Sequence, residues 1–453
     1  MLAPLGGNRR PPWDFVSLLT IFAFTQILLP SRYVVKLMGA AGAPARLVAL
    51  GVSVWWLIDW FGQPTLRPPI RQPLKSSALV FLAAILGSYV VATSRPIAPE
   101  ELLSADRSVI AVVGWLGVMA AATDRILSRA RLDTLLRRLT VLGAFEAGIG
   151  LLQFATGRTF IEYFRLPGLI DNSAINDIVS RNGFVRPAGT AIHPIEFGVS
   201  MAMLLPLALH YAVTDVESRS PISRWLPACA ISVALPLTIS RSAIICTAVA
   251  LAVLLSSWPI VTRRWVYAAA GLMLTGLAVV LPGFLWAVFG LFGEIDQDSS
   301  ALSRTNSYQL AWNFVARNPI LGRGVGTFLP EYRILDNQYL GSLIELGFIG
   351  LACLMAHFLV GLLTAWNLRS WSCPQARDPY PRSQLGVALA AGIAAGCVSF
   401  AFFDAWGFPT IHSLMFIMMG CAGAGRRLRA NADTTQTAAV DRTIPESDDL
   451  AGR

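Results

Sequence analysis

The sequence predicts an all-α polytopic membrane protein of about twelve transmembrane helices, with two longer outer-face loops that contain short amphipathic helices. Three observations predict it. Hydrophobic residues make up 55% of the 453 and charged ones only 14%, against roughly a quarter charged in soluble proteins. Apolar runs of about 16 to 25 residues recur from end to end, the length that crosses a hydrocarbon core. Basic residues collect in alternate connectors, as the positive-inside rule requires.

The spans fall near 15–30, 44–62, 74–93, 108–123, 135–156, 193–213, 225–239, 242–258, 265–292, 338–366, 385–403 and 408–424. Arg9 and Arg10 precede the first, which lacks a small-residue cleavage site and reads as a retained helix. The seventh and eighth meet at Ser240-Arg241-Ser242. One helix through both would be about 50 Å long, too long for a single crossing, so a hairpin with Arg241 at its tip is expected. The runs divide the chain into N-terminal membrane helices (1–156), an outer loop (157–192), central helices (193–292), a second outer loop of catalytic type (293–337), C-terminal helices (338–425) and a disordered tail (426–453). No internal repeat is evident, which disfavours many transporter architectures.

Basic clusters at Arg67 to Lys75, Arg125 to Arg138, Arg219 and Arg224, Arg263 and Arg264, Arg369 to Arg382 and Arg426 to Arg429 put both termini in the cytoplasm. The net charge of +9 is thus a signal for anionic lipid and not for nucleic acid. The six cysteines lie in or beside apolar runs without paired or metal-type spacing, which argues against a disulfide framework.

The second loop holds an amphipathic helix from Ser303 to Arg317, with an apolar stripe of Tyr308, Ala311, Trp312 and Val315, stopped by Asn318-Pro319. Gly322, Gly324 and Gly326 then make a turn. Gly322-Arg323-Gly324-Val325-Gly326 lacks the strand-turn-helix setting of a nucleotide loop, and Asp296-Gln297-Asp298 stands without a nucleotide-binding domain, so neither reads as a nucleotide site.

Outer-face arginines break the charge asymmetry. Only Lys36 and Lys75 among 36 basic residues are lysines, and guanidinium binds phosphate oxygens through a planar fork. Arg186, Arg241 and Arg304 are the candidate pyrophosphate ligands, and Arg323 a candidate substrate contact; codon usage and solvated loop charge are the competing explanation. His193 and His412 begin outer-facing helix ends and can contact substrate, while His193 before Pro194 equally marks a helix start. Asp336 is a candidate base or the cap of the following helix. Asn337, Tyr339 and the intramembrane carboxylate Glu345 complete the substrate candidates. No metal or other cofactor is expected.

Arg186-Pro187-Ala188-Gly189-Thr190 with His193-Pro194, then Ser240-Arg241-Ser242, then Arg304 to Gly350 resemble, in that order, the O-antigen ligase and polysaccharide polymerase superfamily. The likeness covers roughly residues 140–360. It implies a metal-independent membrane glycosyltransferase that moves glycan from an undecaprenyl-pyrophosphate carrier to a hydroxyl acceptor at the outer leaflet of the plasma membrane. Implied partners are that lipid-linked oligosaccharide, a glycan acceptor, the bilayer, and flippase or chain-length-control proteins. Arginines hold the pyrophosphate in such proteins, and the ligases carry histidine where this chain has Asp336. That difference leans the expectation toward polymerisation of exopolysaccharide, capsule or O-antigen. Transfer of finished glycan to a lipid or protein is the alternative, and transport of a lipid-linked sugar or solute the reading from another class.

Overall fold

The computed structural model describes residues 14–62, 72–160, 166–172, 179–181, 183–215, 220–293, 299–370 and 384–441. Among them the chain is almost wholly helical. The helices are α1 (Phe15–Ile27), α2 (Pro44–Gly62), α3 (Pro73–Thr93), α4 (Pro99–Arg125), α5 (Arg129–Thr156), α6 (Pro194–Thr214), α7 (Pro221–Leu237), α8 (Arg241–Ser256), α9 (Ile260–Val280), α10 (Phe284–Gly293), α11 (Ser299–Arg317), α12 (Gln338–Asn367), α13 (Gln384–Ser399) and α14 (Pro409–Asp441). Every expected span falls on a helix. Six are long and apolar enough to cross a membrane on their own, or seven if α9 and α10 count as one broken span.

The helix ends follow local chemistry. Asp14, Ser128 and Ser240 accept backbone N–H bonds at the starts of α1, α5 and α8. Gly157 ends α5 in the left-handed region, where a side chain would be strained. Small residues let the helices close up: Gly420 and Gly423 of α14 lie against Met119, Ala122 and Thr123 of α4, and Gly117 of α4 against Ser53 of α2. Helix α6 is buried along almost its whole length among its neighbours.

Three expectations change. The ninth span, expected as one helix over 265–292, breaks at Gly283 and turns through 116° between α9 and α10. In α11, Ala311 and Val315 are buried, but Tyr308 and Trp312 of the proposed stripe are more than half exposed. Aromatic rings on that side suit a membrane interface better than a protein core. The third concerns the tail, since α14 continues as helix to Asp441, through the first part of the segment expected to be disordered.

The two ends of the bundle differ in chemistry. At one end lie the ion pair of Lys75 with Asp124 (3.0 Å) and that of Arg129 with Asp133 (3.1 Å), and Arg427 donates to the carbonyls of Thr123 (3.0 Å) and Ile126 (2.6 Å). At the other end the connectors fold onto one another. β1 (Tyr33–Val35) pairs antiparallel with β2 (Leu169–Asp171), and β3 (Ser180–Arg181) with β4 (Phe184–Val185).

Candidate active site

The loop after α11 does not simply cross the bundle end; it hydrogen-bonds into a helix. Gly347 takes φ 66° and ψ −169° inside α12, a conformation open essentially to glycine alone, and it breaks the helical ladder there. The freed groups pair with the loop. Arg323 N–H donates to Ile344 O (2.8 Å), Gly324 N–H to Glu345 O (3.0 Å), Phe348 N–H to Pro319 O (2.8 Å) and Ile349 N–H to Ile320 O (3.2 Å). Gly322 and Gly347 are required by this approach, since a Cβ on either would collide with a backbone carbonyl, of Glu345 or of Ile320. The glycine run expected as a turn is therefore a seam between loop and helix.

The loop is then anchored to α4. Arg323 pairs with Glu101, whose carboxylate also accepts from the Tyr332 hydroxyl (2.6 Å) and from Arg95 (3.0 Å). The Arg323 guanidinium stands 5.0 Å from the Tyr332 ring centre and 5.5 Å from that of Phe314.

Beneath this loop lies a cavity of about 810 Å³, lined by α1, α2 and α4 on one side and by the loop, α12 and the 404–409 connector on the other. Asn337, Glu345, Arg333, Asp404 and Trp406 reach it from the C-terminal half, and Arg32, Arg46, Arg107, Gln26 and Trp115 from the N-terminal half. Glu345 accepts the Phe328 N–H (3.2 Å), which fixes its carboxylate toward the loop. Burial and the neighbouring Asp336 push the Asp404 carboxyl up to about 6. Among the described residues no three His, Cys, Asp or Glu side chains gather as a metal site would need.

Asn337, and not Asp336, caps α12, its Oδ1 accepting from Leu340 N–H (3.1 Å). Asp336 stands one residue earlier at φ 50°, a left-handed conformation that turns the chain into the helix. Gln338 ties the helix start to the far connector. Its N–H donates to Phe400 O (2.8 Å) and its Oε1 accepts from Trp406 N–H (2.7 Å). Two expected substrate contacts do not line the cavity. Tyr339 turns its hydroxyl to Cys397 O (2.6 Å), and His412 is buried in a stack with Trp115 (4.4 Å) and Trp406 (5.2 Å). Arg323, tied to Glu101, does not line it either.

Arg186, His193 and Arg241 form a separate group beside the cavity. Arg186 is buried and donates through Nε to Thr238 O (2.7 Å), two residues before the Ser240 cap of α8, so the first sequence motif bonds the chain just ahead of the second. Burial and the charge of Arg181 lower the Arg186 guanidinium to about 10. Gln153 of α5 clamps the turn that follows, accepting from Ala188 (3.1 Å) and Gly189 (2.8 Å) and donating to Gly189 O (2.8 Å). His193 Nδ1 accepts the Ile195 N–H (3.1 Å) as the α6 cap, so its nitrogen lone pair is engaged. Burial, helped by Arg186, holds its imidazole down at about 4. Arg241 opens α8, as the hairpin reading requires. Arg304 falls within α11 with its side chain outside the described residues, and Asp296-Gln297-Asp298 likewise lies outside them.

Sequence reasoning missed Arg32, Arg46, Arg107 and Asp404. The first three stand in or beside apolar runs that read as plain spans, and only their position near the ends of those runs marked them. No curated protein matches the chain. Residues 226–355, from α7 through the broken turn of α12, match the family model described as O-Antigen ligase, a likeness that supports the O-antigen ligase and polymerase superfamily.

Proposed function

We propose that this protein polymerises a cell-surface polysaccharide by moving glycan from an undecaprenyl-pyrophosphate carrier to a sugar hydroxyl at the outer leaflet. The observation that carries the reading is the cavity at the end of the bundle where the connectors fold onto one another, roofed by the Gly322–Gly347 seam within the family-matched segment. The anomeric carbon of such a donor is already activated. The protein needs to stabilise departing pyrophosphate charge and orient the acceptor. In this reading Arg186 and Arg241, adjoining through Thr238, with Arg304, face the carrier's pyrophosphate. Asp336 and Asp404, with Glu345 and Asn337, hold and deprotonate the acceptor hydroxyl. His193, its Nδ1 engaged by the Ile195 N–H, fixes the start of α6 beside Arg186. The chemistry asks for no metal, and both termini lie in the cytoplasm of the plasma membrane, where flippase and chain-length-control proteins are the expected neighbours.

The family match favours a second reading, a ligase that attaches finished glycan to a lipid or protein acceptor. Deleting the gene separates the two. A polymerase mutant accumulates single repeat units on the carrier, and a ligase mutant accumulates long polymer there. Arg241→Ala in the chromosomal gene is expected to abolish long polymer with normal membrane abundance, and polymer of normal length would refute the polymerase reading.

A further inference from the structure

The two halves of the cavity meet at a block of aromatic rings that the proposed chemistry does not use. Trp115 of α4 and Trp406 of the 404–409 connector both line the cavity. Their ring centres are 5.4 Å apart and their planes 21° from parallel. His412 lies within 23° of both planes, 4.4 Å from Trp115 and 5.2 Å from Trp406. Phe400 stands across the block, at 73° to Trp406 and 90° to His412.

Trp406 is the ring that a ligand in the cavity can reach. Trp115 is 9% exposed, whereas Trp406 is only half-buried. Trp406 is held from two sides. Its backbone N–H donates to Gln338 Oε1 (2.7 Å), and its indole N–H is directed to Ser342 Oγ (3.4 Å). With that N–H engaged, the ring offers a ligand carbon surface and no donor.

The rest of the lining narrows the ligand. Asp404 lines the cavity two residues from Trp406, and so does Asn337, whose helix cap uses Oδ1 and not the amide N–H groups. A carboxylate and an amide suit hydroxyl partners. As many carboxyl side chains as arginines line the cavity, so their formal charges cancel and leave no surplus to select a highly charged ligand. A prenyl tail would strip water from all those charges and replace none of it. A sugar ring satisfies both kinds of lining, its C–H face covering an indole while its hydroxyls bond the polar groups.

We propose that Trp406, braced by Trp115 and His412, is a stacking platform for the sugar ring that bears the acceptor hydroxyl, with Asn337 and Asp404 bonding the hydroxyls of that ring. The inference rests on the glycan-transfer reading and adds that the acceptor is recognised as a saccharide, at the connector end of the cavity.

The experiment starts from a strain deleted for this gene. Lipid-linked glycan is extracted, and its oligosaccharide is released by mild acid and purified. The oligosaccharide, undecaprenyl phosphate and inorganic pyrophosphate are titrated separately onto full-length protein in detergent. Trp406→Phe, which keeps a ring, is expected to bind the oligosaccharide within about threefold of the parent. Trp406→Leu, which keeps apolar bulk without a flat face, is expected to lose about tenfold. Its thermal midpoint and its affinities for both other probes should stay unchanged.

Equal oligosaccharide affinity in the leucine variant and the parent, or no binding by the parent, overturns the platform and leaves glycan transfer standing. A loss confined to undecaprenyl phosphate assigns the ring to the carrier's tail, and a loss on every probe with a lowered midpoint assigns it to the core; either overturns the proposal. Absence of any accumulated lipid-linked glycan in the deleted strain refutes the transfer reading itself, and the platform with it.

Discussion

Glu101 and Arg323 form an ion pair across 222 residues of sequence, and the Tyr332 hydroxyl donates to the same carboxylate. The pair fastens the roof of the cavity to α4. Glu101 is nearly inaccessible and Arg323 about one-fifth exposed, so losing one partner leaves the other poorly compensated.

Glu101→Gln is therefore expected to loosen the loop, at about 1–3 kcal/mol, a charged hydrogen bond's usual worth. Hydrogen exchange over residues 323–335 is the measurement. Protection there should fall while that of α6 stays unchanged, and equal protection in the variant would remove the anchoring role.

Gly347→Ala should be among the most damaging small substitutions in the chain. Its φ of 66° resists any side chain, and the added methyl meets the Ile320 carbonyl. Strain and overpacking together cost about 2–4 kcal/mol. Gly276→Ala in α9 has open space around it and serves as the control. Thermal unfolding in detergent should separate the two clearly; similar midpoints would mean the seam bears little stability.

His193→Asn tests cap against chemistry. Asparagine is a good N-cap, whereas alanine at such a position costs about 1 kcal/mol. Polymer yield from His193→Asn is expected within a few-fold of normal, with His193→Ala less stable. A loss beyond tenfold in the stable asparagine variant would assign the imidazole a direct role.

Asp404 supplies a pH dependence. Its carboxyl is raised to about 6, so it is ionised at neutral pH and becomes protonated as pH falls through that value. Asp336 and Glu345 are the titratable groups that act on it by charge. If its ionised form holds the acceptor hydroxyl, kcat/KM should decline below about pH 6, approaching tenfold per unit. Asp404→Asn should lower the plateau and remove that limb; an unaltered limb in the variant would exclude Asp404 as its origin.

The helices were legible because apolar run length and cap residues are local properties. Asn318-Pro319 and the hairpin at Ser240-Arg241-Ser242 could be read from a few neighbours. The cavity was less so. Gly347 reads as an ordinary residue of a hydrophobic helix, and only the opposing Gly322 gives its conformation a purpose. Arg46 and Arg107 stand on helices separated by α3 in sequence, and nothing in the periodicity of α2 or α4 says that both line one space. Asp336 reads from the sequence as either a base or a cap; the capping task falls to Asn337, with Asp336 one residue earlier at positive φ.

The seam also bears on how the chain tolerates insertion and cutting. Surface loops usually accept both, because their backbone groups can turn to water. Here the segment from Pro319 to Gly324 supplies partners for a helix interior, where no water replaces them. A tag or protease site placed at 319–324 should act like damage to the middle of α12. The same insertion near Gly157, where the helix has already ended, should pass unnoticed.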